Sequence, residues 1–115
     1  MIRQEKDMQQ ETREKMRGGN GSVKLQHVFK DEEMTAKTRL CAKITLEKGC
    51  SIGVHQHATD EEIYYILQGT GKVVEDSGAY TVKKGDAVLT GNGASHSIEN
   101  IGEDTLELLA VVVNY

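Results

Sequence analysis

The feature that most constrains this chain is an even succession of short segments of apolar or alternating pattern, separated by glycine-containing and polar turns. β-Branched and apolar residues in such runs fit half-buried strands. Short strands at regular spacing are typical of an antiparallel sandwich or a jelly roll. We therefore predict an all-β fold with strands over residues 22–29, 38–47, 52–57, 62–68, 71–76, 79–83, 87–90, 95–100 and 105–113.

The first 21 residues have a different composition from the rest of the chain. They are polar and highly charged, and Ile2, Met8 and Met16 are thinly spaced along them. This pattern supports at most one short amphipathic helix, which the glycine-rich segment 18–21 would end. We predict an N-terminal arm over residues 1–21, containing at most that helix, and a β-barrel domain over residues 22–115.

Length and charge limit the function classes. The chain has 115 residues and a formal net charge of −4, which suits one domain of modest core. It lacks the clustered cationic face that neutralises phosphates, so we expect no nucleic-acid partner. No apolar stretch approaches the roughly 20 residues that cross a bilayer, and we expect a soluble, cytoplasmic protein with no membrane partner. Cys41 and Cys50 are expected to be reduced thiols.

Three histidines and a glutamate have the spacing of ligands to one metal ion. His55 and His57 are separated by one residue, and alternate side chains of a strand share a face, so both imidazoles can reach one point. A turn at residues 58–60 would bring Glu62 back on a neighbouring strand as an oxygen ligand. With His96 delivered from a later segment, the set has three nitrogens and one carboxylate.

The segments around these residues resemble the two motifs of the cupin family. The first motif is filled by Gly49, His55, His57, Glu62 and Gly69. The second motif is filled by Gly85, Gly93, His96 and Asn100. Gly91 stands where the family has a proline, which implies a looser turn with the ligand retained. The resemblance is to small single-domain microbial cupins of the cupin 2 type. It implies a double-stranded β-helix jelly-roll barrel with His55, His57, Glu62 and His96 as metal ligands.

The chemistry of this ligand set favours an anionic small molecule. Three neutral imidazoles and one carboxylate leave a divalent ion with a charge of about +1 and, if it is six-coordinate, with open positions for a ligand. A carboxylate or enol could chelate there and be polarised by the ion. The resemblance favours manganese or iron as the metal, while the ligand types also suit nickel, zinc, cobalt or copper.

Two function classes remain open from the sequence. The first is a metal-dependent enzyme, of decarboxylase, dioxygenase or isomerase type, acting on a small carboxylate or enol. If Glu62 faces inward, Tyr64 does too, and its phenol would serve either as a catalytic acid or as a hydrogen-bond donor. Oxalate-handling cupins typically carry an arginine where this chain has Ile52, which disfavours oxalate. The second class is a non-catalytic or sensory cupin that binds a small molecule or a metal.

The last predicted strand is apolar on both faces. One face is formed by Leu106, Leu108, Ala110 and Val112, and the opposite face by Leu109, Val111 and Val113. Since a strand with two apolar faces needs cover on both, we expect the second face to lie at a homodimer interface or beneath the N-terminal arm.

Overall fold

The computed structural model describes all of residues 1–115 and consists almost entirely of antiparallel strands. The strands are β1 (Gln9–Glu14), β2 (Ser22–Phe29), β3 (Thr38–Leu46), β4 (Ser51–Gln56), β5 (Asp60–Gln68), β6 (Thr70–Glu75), β7 (Gly78–Lys83), β8 (Ala87–Gly91), β9 (Ser95–Asn100) and β10 (Leu106–Asn114). Three-residue 3₁₀ turns occupy Glu5–Asp7, Met16–Gly18 and Asp31–Glu33. None of the helical turns has the length or the apolar character to cross a membrane.

Two sheets form the jelly-roll barrel. The larger has six strands in the order β1-β2-β3-β10-β5-β8, and the smaller has four in the order β4-β9-β6-β7. Consecutive strands repeatedly switch sheets, so that β4 and β5, which flank one short turn, belong to opposite walls. This switching brings side chains from both walls to the same end of the barrel.

The core fills the space between the sheets with alternate residues of the strands. On β3 the buried face includes Ala42, Ile44 and Leu46, which are at most 1% exposed. β10 packs Leu106, Leu108 and Ala110 against them at 0% exposure. Burial of this kind contributes about 25 cal/mol per Å² of apolar surface, and it selects the register because a one-residue slip would turn each apolar face to water.

All nine predicted strands are present, with ends displaced by at most a few residues. Residues 1–21, for which we predicted at most one short helix, contain no α-helix and only the 3₁₀ turns Glu5–Asp7 and Met16–Gly18. Instead Gln9–Glu14 forms β1, which pairs along its whole length with β2 and becomes an edge of the larger sheet. The reason is that the backbone groups of β2 are satisfied by this pairing, whereas the segment has no apolar face to hold a helix against the barrel. The boundary at residue 21 stays a prediction.

The Met16–Gly18 turn lies directly on β4. A Cβ on Gly53 would stand 2.0 Å from the carbonyl oxygen of Arg17, and a Cβ on Gly19 would stand 2.2 Å from that of Ser51. Only glycine permits two backbones to approach so closely. Ser51 completes the contact by donating its N–H to the oxygen of Asn20 and accepting the Asn20 N–H on its hydroxyl, each at 2.8 Å. The turn is therefore anchored to the barrel wall.

Two irregularities interrupt the larger sheet at the same end of the barrel. β10 pairs Val112 with Leu40 and Val113 with Thr38, so Arg39 is an extra residue on β3. A second register shift falls on β2 between His27 and Phe29. Bulges of this kind redirect side chains, and Arg39, His27 and Phe29 all line the cavity described below.

Candidate metal centre

The four predicted ligand residues lie together at one end of the barrel, between its two walls. His55 is on β4 and pairs with His96 on β9, within the smaller sheet. His57 follows β4, where its backbone exchanges hydrogen bonds with Ala94 and Gly93. Glu62 comes from β5, in the larger sheet. The residues are nearly sealed from water, with side-chain exposures of 9%, 4%, 6% and 0% for His55, His57, Glu62 and His96.

One atom from each side chain points to a common centre. The Nε2 atom of His96 lies 3.0 Å from Nε2 of His55 and 3.1 Å from Nε2 of His57. Oε1 of Glu62 lies 2.9 Å, 3.1 Å and 3.5 Å from the Nε2 atoms of His96, His57 and His55. All four atoms lie within 4.8 Å of one another, so this group could hold a metal ion.

The other nitrogen of each imidazole is held from behind. Nδ1 of His55 lies 2.8 Å from the carbonyl oxygen of Gly53, and Nδ1 of His57 lies 2.7 Å from a carboxylate oxygen of Asp60. Since both partners can only accept, each Nδ1 donates, which leaves the lone pair of Nε2 facing the centre. Nδ1 of His96 lies 2.8 Å from the Thr90 hydroxyl, which can accept in the same way. Such outer hydrogen bonds are the usual support of metal-binding histidines.

The distances between the inward atoms fit a cation. Nitrogen lone pairs at 3.0–3.1 Å repel one another unless a positive charge lies between them. Metal–nitrogen bonds of about 2.1 Å place neighbouring ligands about 3.0 Å apart in an octahedral site and about 3.4 Å apart in a tetrahedral one. Four of the five separations above are 2.9–3.1 Å, which fits neighbouring corners of an octahedron.

The surroundings of Glu62 and His96 favour the protonation states in which these side chains bind metals. Burial by itself raises the pKa of the Glu62 carboxyl, but the close imidazoles of His55, His96 and His57 outweigh burial and lower the pKa to about 2. Burial lowers the pKa of His96, against the opposing effect of Glu62. At neutral pH the carboxylate is therefore ionised and the His96 imidazole is uncharged, the states in which both bind metals.

Tyr64 lies behind the cluster. It is 1% exposed, and its ring stacks on the His96 imidazole with centroids 4.9 Å apart and planes inclined by 11°. Burial, followed by the negative charge of Glu62, raises the pKa of its phenol well above the ordinary value. The phenol therefore stays protonated and can donate a hydrogen bond, which is one of the two roles that the sequence left open for it.

A cavity of about 500 Å³ opens from the cluster to the surface. Its inner wall includes His55, His57, Glu62 and Tyr64, beside the apolar side chains of Leu40, Ile44, Ile52 and Val112. Its outer wall is strongly charged and includes Glu11, Arg13, Arg17, His27, Lys30, Asp31, Glu32 and Arg39. A small molecule could thus reach the inward atoms through a polar entrance.

Asp60 is a functional candidate that the sequence analysis missed, and Arg39 is its partner. Asp60 is 7% exposed and accepts hydrogen bonds from both Arg39 and His57. Burial alone would raise its pKa, but these two partners lower it below the ordinary value. Arg39, whose side chain is 45% exposed, links this buried carboxylate to the cavity. The available signal was the acid three residues after His57, which we assigned only to a turn.

The fold and this site define the class of protein: the chain belongs to the cupin family, whose domain model matches residues 42–112. It is similar to an oxalate-binding protein of Thermotoga maritima, at 45% identity over 98 residues, 85% of this chain and 81% of the relative. It is also similar to the crystal structure of a predicted oxalate decarboxylase from Thermotoga maritima, at 40% identity and a TM-score of 0.94 over 100% of both chains.

A more distant relative shares the fold alone. The cupin domain of a Schizosaccharomyces pombe protein superposes with a TM-score of 0.72 at 20% identity, over 81% of this chain and 61% of that chain. The predicted cupin barrel is thereby confirmed.

Proposed function

We propose that this chain binds a divalent transition metal through His55, His57, Glu62 and His96, and that the bound metal captures a small dicarboxylate of the oxalate class. The observation that carries the proposal is that three imidazoles and one ionised carboxylate converge on one point at the base of a cavity, and that each imidazole has a hydrogen-bond partner at its Nδ1 atom. The bound ion would supply a positive charge and open coordination positions, and the protein residues fix its place.

The charges around the cavity support an anionic ligand. Of the acids on its wall, Glu62 belongs to the cluster and Glu11 is neutralised by Arg13 at 2.6 Å. The remaining acids, Asp31 and Glu32, lie on the 3₁₀ turn near the entrance. Among the arginine and lysine side chains on the same wall, Arg13, Lys30 and Arg39 are paired with carboxylates, and the unpaired Arg17 would attract a carboxylate ligand toward the cluster.

Oxalate is the first ligand to test because the curated protein and the crystal structure from Thermotoga maritima both carry its name. Oxalate-handling cupins typically carry an arginine where this chain has Ile52. This difference argues against oxalate only if the positive charge beside the metal has to come from that position. In the structure Ile52 lines the cavity, but so do Arg17 and Arg39, which come from other segments. The positive charge missing from the motif is thus present in the cavity. Because about 500 Å³ exceeds the volume of oxalate, a larger dicarboxylate also fits.

A metal-dependent decarboxylase or dioxygenase is the second candidate function. It is favoured by the cavity, which leads directly to the open side of the cluster, and by the name of the crystallised relative. Against it stands the scarcity of proton-transfer groups at the inner wall. Tyr64 is fully buried with a raised pKa, which makes its phenol a weak acid at neutral pH. Binding without turnover is therefore the function that the geometry favours.

The experiment that tests this function is reconstitution followed by titration. Protein freed of metal is loaded with Mn²⁺ or Fe²⁺, its metal content is measured, and oxalate is titrated by calorimetry while carbon dioxide and oxygen are monitored. We expect one metal per chain and saturable oxalate binding only in the loaded protein. Release of carbon dioxide would establish the enzyme instead. Loaded protein that takes neither oxalate nor longer dicarboxylates would overturn the proposal.

Manganese or iron is the metal that we propose first. The separations near 3.0 Å fit six-coordination better than a tetrahedral zinc site, and nitrogen with carboxylate oxygen suits both ions. Competition among manganese, iron, cobalt, nickel, copper and zinc, with occupancy read by elemental analysis, tests this order. Because copper binds most such sites tightly, the comparison has to be made at the metal concentrations of the cell.

We also propose that the chain forms a homodimer through the outer face of the larger sheet. Val111 pairs with Ile63, which pairs with Leu89, and the latter two side chains are 41% and 64% exposed. Neighbouring Tyr65 is 46% exposed.

The N-terminal segment does not cover this face, contrary to one of our expectations, because β1 lies at the sheet edge with β2 and β3 between it and β10. A second copy of the same face would bury the patch in a symmetric interface. Sedimentation should show a dimer at micromolar concentration and a monomer for Ile63→Lys. A monomeric wild-type chain would refute the proposal.

A further inference from the structure

Arg17 is the guanidinium on the cavity wall that has no carboxylate partner. Arg13 is paired with Glu11 at 2.6 Å, and Arg39 is paired with Asp60. Arg17 lines the same cavity as these two and makes neither an ion pair nor a side-chain hydrogen bond. Its five donors are therefore available to a ligand, whereas those of Arg13 and Arg39 are in part already used.

The backbone that carries Arg17 is held in an uncommon conformation. Lys15 and Arg17 have φ values of +50° and +56°, in the left-handed region that residues with a Cβ rarely adopt. Hydrogen bonds of 2.8–3.0 Å close the turn: Lys15 donates to Gly21, Gly18 donates to Lys15, and Gly19 donates to Met16. Such conformations persist where the surrounding structure enforces them, and they often occur at binding sites.

The position of the turn places Arg17 next to the metal centre. Its carbonyl oxygen packs on Gly53, and the oxygen of Gly53 in turn accepts the hydrogen bond from Nδ1 of His55. Arg17 also lines the same cavity as His55, Glu62 and Tyr64. The guanidinium thus acts on the space that a metal-bound ligand would occupy.

We propose that Arg17 is the specificity-determining residue of this site, binding the carboxylate oxygens that a chelated dicarboxylate directs away from the metal. The inference rests on the proposed function, since it assumes a ligand held by the ion. A chelating dicarboxylate gives the metal one oxygen from each carboxylate and leaves two oxygens free. The planar fork of a guanidinium matches such a pair, and a charged hydrogen bond of this kind is stronger than a neutral one.

The test compares two matched variants of the manganese-loaded protein. Arg17→Asn removes the guanidinium and keeps a residue that tolerates the left-handed conformation. Lys15→Asn makes the same change of charge at the other left-handed position, which does not line the cavity. Metal content is measured first, and oxalate and glycolate are then titrated by calorimetry. Glycolate chelates through a carboxylate and a hydroxyl, so it lacks the second carboxylate.

We expect Arg17→Asn to keep its metal and to lose oxalate affinity by about 10- to 100-fold, with a smaller loss for glycolate. Lys15→Asn should stay within about twofold of the wild type, because an exposed charge outside the cavity is screened by salt. The oxalate affinity of Arg17→Lys should lie between those of the wild type and Arg17→Asn, since lysine keeps the charge but lacks the planar guanidinium. Arg17→Gly should reproduce the loss with the left-handed backbone fully relaxed.

The possible failures are distinguishable. Equal oxalate affinity in the wild type and in Arg17→Asn would overturn the role of Arg17 and leave the proposed function intact. Equal losses of oxalate affinity in Arg17→Asn and Lys15→Asn would show a diffuse effect of charge and would also overturn the role of Arg17. A loaded wild-type protein that binds no dicarboxylate would refute the proposed function and this inference together.

Discussion

Replacing Asp60 with asparagine should weaken metal binding although the residue does not face the metal position. The carboxylate receives the Nδ1 hydrogen bond of His57 at 2.7 Å and thereby fixes that ring with Nε2 inward. Asparagine has nearly the same shape and can still accept one hydrogen bond, but it lacks the negative charge that makes the imidazole a stronger ligand. The change therefore isolates the charge behind the ring.

The size of the effect follows from the surroundings of the carboxylate. Loss of an outer partner of a metal-binding histidine typically lowers metal affinity about 10- to 100-fold, which corresponds to about 1.4–2.8 kcal/mol. The ion pair with Arg39 adds little to this figure, because the Arg39 side chain is 45% exposed and is readily solvated when its partner is lost. We thus expect a clear loss of metal affinity with a small change in the free energy of unfolding.

The assay is competition for Mn²⁺ between the protein and a chromophoric chelator. Asp86→Asn is the matched control, because it removes the same charge from a surface turn where Asp86 accepts the backbone N–H of Lys83. It should bind metal as the wild type does. If Asp60→Asn keeps wild-type metal affinity while remaining folded, the hydrogen bond to His57 does not support a metal ligand and the reasoning fails.

Three further predictions follow from the same structure. His96→Ala should remove most metal from purified protein, and unchanged metal content would contradict its role as a ligand. Gly53→Ala should lower the free energy of unfolding by about 1–3 kcal/mol, read from urea midpoints, since its Cβ would meet the carbonyl oxygen of Arg17 at 2.0 Å; a wild-type midpoint would contradict this contact. The hydrogen bond from Arg3 lowers the pKa of Glu33, so Glu33→Gln should be less stable than the wild type above pH 4.5. This difference in stability should vanish as the pH falls through the lowered pKa, and a pH-independent difference in melting temperature would argue against the ion pair.

The parts of the fold that the sequence predicts are those with a local signal. Alternation placed Leu106, Leu108 and Ala110 on one face of the last strand and Tyr64 on the inner side of β5 with Glu62, and all of these side chains are buried. The four inward residues were found because their spacing matches two short motifs. In these segments the alternation of apolar and polar side chains indicates which face of the strand is buried.

The parts that the sequence did not predict depend on contacts between distant segments. β1 has polar residues on both faces, and only its pairing with β2 makes it a strand. Arg39 would share the outward face with Cys41 if β3 were regular, but a register shift against β10 redirects it to the cavity. Neither event leaves a period in the sequence, because both are decided by hydrogen bonding to a partner strand.

The features that depend on contacts between distant segments lie together at the entrance of the cavity, where they can affect which ligand binds. The inward atoms come from residues at motif positions, and these residues form the base of the cavity. The entrance is built from β1, the Met16–Gly18 turn and the two register shifts, none of which belongs to the motifs. Because these elements carry cations that line the cavity, we expect the entrance to determine which ligand binds, and the cluster at the base to hold the metal. A search for the function of such chains therefore gains more from the segments outside the motifs than from the ligands themselves.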